Sequence, residues 1–115
     1  MSDGAQFELL FSDEFKDRLR TLAKRYRRIQ TDLQPLIDSL QSGNLIGDQI
    51  SGTGYAVFKV RLKNSDIQKG KSAGYRVIYQ LKGSASILLV TIYSKSDQHT
   101  IAVDKIREII ANQDL

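Results

Sequence analysis

The sequence predicts an α+β fold: a small antiparallel sheet, elements in the order β-α-α-β-β-β-α, an N-terminal helical hairpin packed on one sheet face and a C-terminal helix. Three observations predict it. Residues 12–42 carry two successive apolar stripes at helical spacing, separated by a short join. From Tyr55 the apolar period changes from about 3.6 to two, and three strand-like runs follow by Lys95. A single apolar run, FELLF at 7–11, precedes the helices. The chain has 115 residues, and 1–115 is expected to form one domain around one core.

Phe7 to Phe11 reads as a short strand. Ser12 is a natural N-cap, with Asp13 and Glu14 behind it at the positive end of the helix. Phe15, Leu19, Leu22, Ala23 and Tyr26 form the buried stripe of a first helix, expected to end near Arg28. A second helix is expected to start at Thr31 or Asp32, which would place Pro35 near its first turn. Leu33, Leu36, Ile37 and Leu40 supply its apolar stripe, and Gly43 stops it. Residues 44–54, with three glycines, read as loop.

In the next strand Tyr55, Val57, Lys59 and Arg61 face one way, and Ala56, Phe58, Val60 and Leu62 the other. Asn64 to Ser72 is a polar turn, Gly74 to Leu81 a strand, and Lys82-Gly83-Ser84 a tight hairpin. SILLVTIYSK at 86–95 is almost continuously apolar, as a central strand covered on both faces should be. Thr100 to Asn112 closes the order as a helix carrying Val103, Ile106, Ile109 and Ile110. The first strand can join at an edge or beside the last strand. Either way, the part of the sheet that the helices leave open is expected to be basic and polar.

Composition removes several classes of chemistry. There is no cysteine, hence no disulfide, thiolate nucleophile or zinc ribbon, which fits a reducing cytoplasm. His99 is the only histidine, so neither a Ser-His-Asp triad with histidines to spare nor a two-histidine ribonuclease scheme is on offer. No leader and no membrane span are expected from the start MSDGAQFELLFSDEF or from any later run. Gly70-Lys71-Ser72 looks like the end of a P-loop. Ser65 stands where that loop needs glycine, however, and the strand-like Tyr75-Arg76-Val77-Ile78-Tyr79 follows where it needs a helix.

The net charge of +4 is unevenly spread. Between Lys59 and Arg76 lie Lys59, Arg61, Lys63, Lys69, Lys71 and Arg76, opposed only by Asp66, so this segment is +5 and the remainder −1. A second run, Lys16 to Arg28, holds seven cations against Asp17. Such concentration favours a polyanionic partner.

What remains for chemistry is Arg, Lys and Tyr on adjacent strands, with no metal and no cofactor implied. That set suits cleavage of RNA by its own 2′-hydroxyl. The reaction needs a positioned phosphate, neutralised charge in the transition state and proton transfer at each end, but no protein nucleophile. Arginine grips phosphate bidentately, and fixed cations aimed at developing charge are usually the largest catalytic contribution. Tyrosine or lysine among cations can move protons.

Phe58-Lys59-Val60-Arg61, then Lys69-Gly70-Lys71-Ser72-Ala73-Gly74-Tyr75-Arg76-Val77-Ile78-Tyr79, then Leu89-Val90-Thr91-Ile92-Tyr93-Ser94-Lys95 resembles the RelE/ParE toxin superfamily, above all the RelE and HigB-like toxins of bacterial type II toxin–antitoxin modules. The resemblance extends to the helical hairpin and the element order. It implies a cytoplasmic toxin, an endoribonuclease (mRNA interferase) that cuts mRNA on the ribosome and inhibits translation, and a cognate antitoxin protein that neutralises it. It also implies that Arg61, Lys71 and Arg76 hold and neutralise the scissile phosphate, that Tyr93 and Lys95 orient the nucleotide or move protons, and that Lys59 assists. Lys63 and Lys69 are loop charges with a weak RNA-binding role, and His99 is a possible contributor. Tyr75 and Tyr79 are read as packing residues. An alternative within the superfamily is a ParE-like inhibitor of DNA gyrase without nuclease activity, and a third reading is a toxin-like binding protein that has lost activity. A gyrase inhibitor has no need of the cationic set with Tyr93 and Lys95.

Overall fold

A computed structural model describes residues 6–67 and 73–113. The elements are β1 (Glu8–Phe11), α1 (Asp13–Arg25), α2 (Ile29–Gln41), β2 (Asp48–Gln49), β3 (Val57–Leu62), β4 (Tyr75–Lys82), β5 (Ser86–Ser94) and α3 (Val103–Gln113). Among them the sheet runs β1-β5-β4-β3-β2. The β3-β4-β5 meander is antiparallel, as the sequence predicts. The first strand takes both places left open for it: β1 is an edge strand and lies beside β5, parallel to it, which makes the sheet mixed.

Ser12 caps α1 as expected, its hydroxyl accepting the N–H of Phe15 at 2.9 Å and donating to the Val90 carbonyl at 2.6 Å. The helix ends at Arg25 rather than Arg28. Tyr26 turns into extended backbone and sets its ring edge-on against Tyr75, 5.9 Å between centroids. The second helix starts earlier than predicted, at Ile29. The carboxylate of Asp32 is not a cap: it accepts the N–H of Ser65 at 2.8 Å and its hydroxyl at 3.0 Å. Ile29 is buried instead and anchors the first turn. Pro35 therefore sits inside the helix. An interior proline costs ~3 kcal/mol or more, and burial of Ile29, worth roughly 1.5–3 kcal/mol, offsets a comparable amount. Gly43 ends α2 with φ +87°. Its N–H reaches the Leu40 carbonyl, and Asn44 N–H reaches Ser39, the paired bonds of a Schellman stop.

Helices cover both faces of the sheet. Phe15, Leu22, Ile29, Leu33, Leu36 and Leu40 of the hairpin pack on Val60, Tyr75, Val77, Tyr79, Ile87, Leu89 and Ile92. On the other face Ile106, Ile109 and Ile110 of α3 pack on Val57, Ile78, Leu88 and Val90. Tyr75 and Tyr79 are core residues, as read from the sequence. The predicted loop 44–54 contains the two-residue β2, which lengthens the sheet beyond β3. No helix of the described residues is long and apolar enough to cross a membrane.

Candidate active site

The register of the meander builds the site. Arg61 on β3 pairs with Arg76 on β4, and Arg76 pairs with Tyr93 on β5, so the three side chains form one row across three strands. The next row is Lys59, Ile78 and Thr91. Both rows lie on the face that carries α3. Its isoleucines pack on Val57, Ile78, Leu88 and Val90 and not on the Arg61 row.

Tyr93 reaches this face through an irregularity in β5. Tyr79 pairs with Leu89 but Ile78 pairs with Thr91, so the register skips Val90. Strict alternation would put Tyr93 on the same side as Leu89, in the hairpin core. The bulge reverses the alternation after Leu89 and aims Tyr93 at Arg76. The sequence reading includes Tyr93 in the candidate set, but nothing in SILLVTIYSK marks the bulge that turns it toward Arg76.

Two arginines in register repel unless something negative is near. Arg76 is 5 % exposed, and its Nη1 donates to the Tyr75 carbonyl at 3.2 Å. Burial, and then the charge of Arg61, lower its pKa. The guanidinium remains protonated all the same, since arginine does not lose its proton in proteins. Arg61 is exposed at the open end of the row. Tyr93 is 2 % exposed. Burial raises the pKa of its hydroxyl, while Arg76 and Thr100 pull it down. Thr100 approaches without reaching hydrogen-bond geometry, so the hydroxyl is buried and unsatisfied among the described residues. A raised pKa keeps Tyr93 neutral at ordinary pH, able to donate a proton or hydrogen bond but not to act as a resting base.

The other predicted residues are placed less uniformly. Lys59 is half-buried on the same face, one row from Arg61, and Lys63 is exposed just past the end of β3. Lys69 and Lys71 lie outside the described residues. β5 stops at Ser94, so Lys95 is not a strand residue facing the same way as Tyr93, as alternation had suggested. Its backbone N–H continues the ladder to Gly74, and its ammonium donates to the carbonyl of His99 at 2.7 Å, closing the 95–99 turn. His99 is exposed. That turn is also tied to α1, by Arg18 to Gln98 at 2.9 Å and Arg25 to Asp97 at 2.5 Å. Sequence reasoning missed Thr100, Asp97 and Gln98, which frame Tyr93 and carry no motif of their own. The expected open basic surface is thus only partly open: Arg61, Lys59 and Lys63 face out, whereas Arg76 and Tyr93 lie beneath it.

Gly74 fixes the start of β4 against β3. A Cβ there would come within 1.9 Å of the Leu62 carbonyl, so only glycine allows this close approach. Among the described residues no cluster of three His, Cys, Asp or Glu side chains is placed to hold a metal ion.

The five-stranded sheet with a helical hairpin on one face and a third helix on the other is a RelE-like fold. One solved structure with this arrangement is the Escherichia coli toxin RelE in the free state, in a mutant form with two arginines replaced by alanine. It superposes with a TM-score of 0.55 at 14 % sequence identity, covering 96 % of this chain and 99 % of that one. No protein-family model and no curated protein sequence matches the chain.

Proposed function

We propose that this protein is the toxin of a bacterial type II toxin–antitoxin module, a cytoplasmic endoribonuclease that cuts mRNA on the ribosome without a metal and so inhibits translation. The observation that carries the reading is the in-register row of Arg61, Arg76 and Tyr93, two guanidiniums and a neutral phenol on adjacent strands. The RelE-like fold supports the same reading at the level of architecture.

In this mechanism the 2′-hydroxyl of the RNA gives up its proton to solvent and attacks the adjacent phosphorus, forming a 2′,3′-cyclic phosphate, while the bond to the 5′-oxygen of the next nucleotide breaks and that oxygen takes up a proton. Arg61 and Arg76 hold the non-bridging oxygens and neutralise the charge that builds on them. Lys71 adds charge from the loop, and Lys59, Lys63 and Lys69 hold flanking phosphates. Tyr93, neutral because buried, donates to the phosphate or to the leaving oxygen. Lys95 contributes by pinning the 95–99 turn beside Tyr93, and contacts RNA only by releasing the His99 carbonyl. Arg76 and Tyr93 are buried, so a ribosome that presents mRNA in one fixed conformation would supply the binding energy to reach them.

A cognate antitoxin is the expected protein partner, neutralising the toxin before it meets the ribosome. Expression of the chain without an antitoxin should arrest growth of a bacterial host, and Arg76→Ala should abolish the arrest while leaving antitoxin binding largely intact. Growth arrest by a folded Arg76→Ala protein would remove Arg76 from the site.

A further inference from the structure

The cations of the first helix are not equivalent. Lys16 pairs with Asp13, Arg18 with Glu14 at 3.2 Å, Arg20 with Asp17 at 2.9 Å and Arg25 with Asp97 at 2.5 Å. Arg25 also lies over the Tyr26 ring, 4.8 Å from its centroid. Lys24, Arg27 and Arg28 are left. All three are exposed, and none forms an ion pair with an acid among the described residues.

Local structure accounts for only one of them. Lys24 stands in the last turn of α1, where a cation is favoured by the helix dipole. Arg27 lies beyond the helix end. Arg28 occupies the N-cap position of α2, where the dipole opposes a cation, and its side chain makes no capping hydrogen bond. Three unpaired cations at adjoining positions, two of them without a stabilising role, break the local rules that the rest of α1 obeys. Such breaks concentrate at functional sites.

The turn is bound to the candidate site's end of the molecule. Asp66 accepts the N–H of Arg28 at 3.0 Å, and Asp32 holds Ser65. Both contacts fix the α1–α2 turn against the β3–β4 connection, which begins with exposed Lys63 directly after Arg61 and Leu62. The only acid of that connection, Asp66, is turned onto backbone and not onto the guanidiniums.

We infer that the α1–α2 turn is a second RNA-docking surface, with Lys24, Arg27 and Arg28 contacting backbone phosphates of structured RNA some distance from the scissile bond. The inference rests on RNA being the substrate class, but not on the catalytic roles given to Arg61, Arg76 and Tyr93. Contacts of this kind are independent of sequence and strongly dependent on salt, because each neutralised phosphate releases condensed counterions.

The test is fluorescence anisotropy of a labelled RNA hairpin against KCl concentration, for the wild type and the triple variant Lys24→Gln/Arg27→Gln/Arg28→Gln, with circular dichroism to confirm folding. The slope of log affinity against log salt should become shallower by about 2–3, since each lost phosphate contact removes about 0.9 from it. Arg61→Ala should shift that slope by no more than one contact. An unchanged slope in the folded triple variant overturns the inference. So does a loss of polyglutamate binding as large as the loss of RNA binding, which would mark the turn as a site for an acidic protein. A shallower slope in a protein that cuts no RNA would leave the docking surface standing and bring down the nuclease reading alone.

Discussion

The two faces of the sheet carry opposite designs. The hairpin face is apolar from β1 to β3, with Phe15, Leu40, Tyr75, Val77, Tyr79 and Leu89 wholly buried and the Tyr79 hydroxyl satisfied by the Ile46 carbonyl at 2.6 Å. The α3 face is apolar only under Ile106, Ile109 and Ile110, and it gives way at the Arg61 end to two guanidiniums and an unsatisfied phenol. The hairpin face leaves one buried polar atom, the Tyr75 hydroxyl, without a partner among the described residues, whereas the α3 face leaves three, at Gln80, Thr91 and Tyr93, and also places like charges in register. The first face makes the molecule fold. The second is where the sequence accepts a cost, and a cost retained against folding points to a task.

Substitutions on the two faces should therefore separate stability from activity. The largest effect is expected from Phe15→Ala on the hairpin face, which should lower unfolding free energy by about 3–5 kcal/mol in a urea titration while leaving activity per folded molecule unchanged. Arg76→Ala should do the reverse. Ribosome-dependent cleavage should fall by roughly 10²–10³-fold, the loss typical of one donor aimed at developing negative charge, with the circular dichroism spectrum retained. Tyr93→Phe should cost about tenfold in cleavage, at the low end of proton-transfer contributions, and the melting temperature should stay level or rise because an unsatisfied hydroxyl is removed. A Tyr93→Phe protein that loses stability instead would make that hydroxyl structural and blur the contrast.

The smallest effect concerns pH. Burial pushes Tyr79 up to about 12, and it also raises Tyr75 and Tyr93. A group whose pKa is raised in the folded state contributes stability that is full below its unfolded value, near 10 for tyrosine, and is lost as pH climbs through the folded value. Thermal melts should therefore be unaffected by tyrosine up to about pH 10 and fall beyond it. Tyr79→Phe should flatten that fall, and an equally steep alkaline loss in the variant would show that Tyr79 does not drive it.

Much of this contrast was legible in the sequence. The helical stripes, the Ser12 cap, the Gly43 stop and the alternation from Val57 to Leu62 all have strong local causes, and they placed the hairpin face and the Arg61–Arg76 pair. What stayed hidden depends on distant partners. The bulge that brings Tyr93 to Arg76 arises between β4 and β5, with no glycine to announce it. Asp32 is drawn from capping by Ser65, thirty-three positions away, and this moves the start of α2 and leaves Pro35 inside it. Residues 48–49 pair with β3 without the length or pattern of a strand. The use of Lys95 to hold His99 follows from the path of the 95–99 turn, which residue types alone do not specify.

The most direct test of the central claim is primer extension on an mRNA in a reconstituted translation system, run beside the same RNA without ribosomes, for the wild type and for Arg76→Ala. Cuts that require ribosomes and vanish with Arg76→Ala are the predicted result. Intact RNA in both arms, from a folded wild-type protein that still arrests growth, would contradict the nuclease account and turn the arginine row into a binding surface, as a gyrase inhibitor would have it.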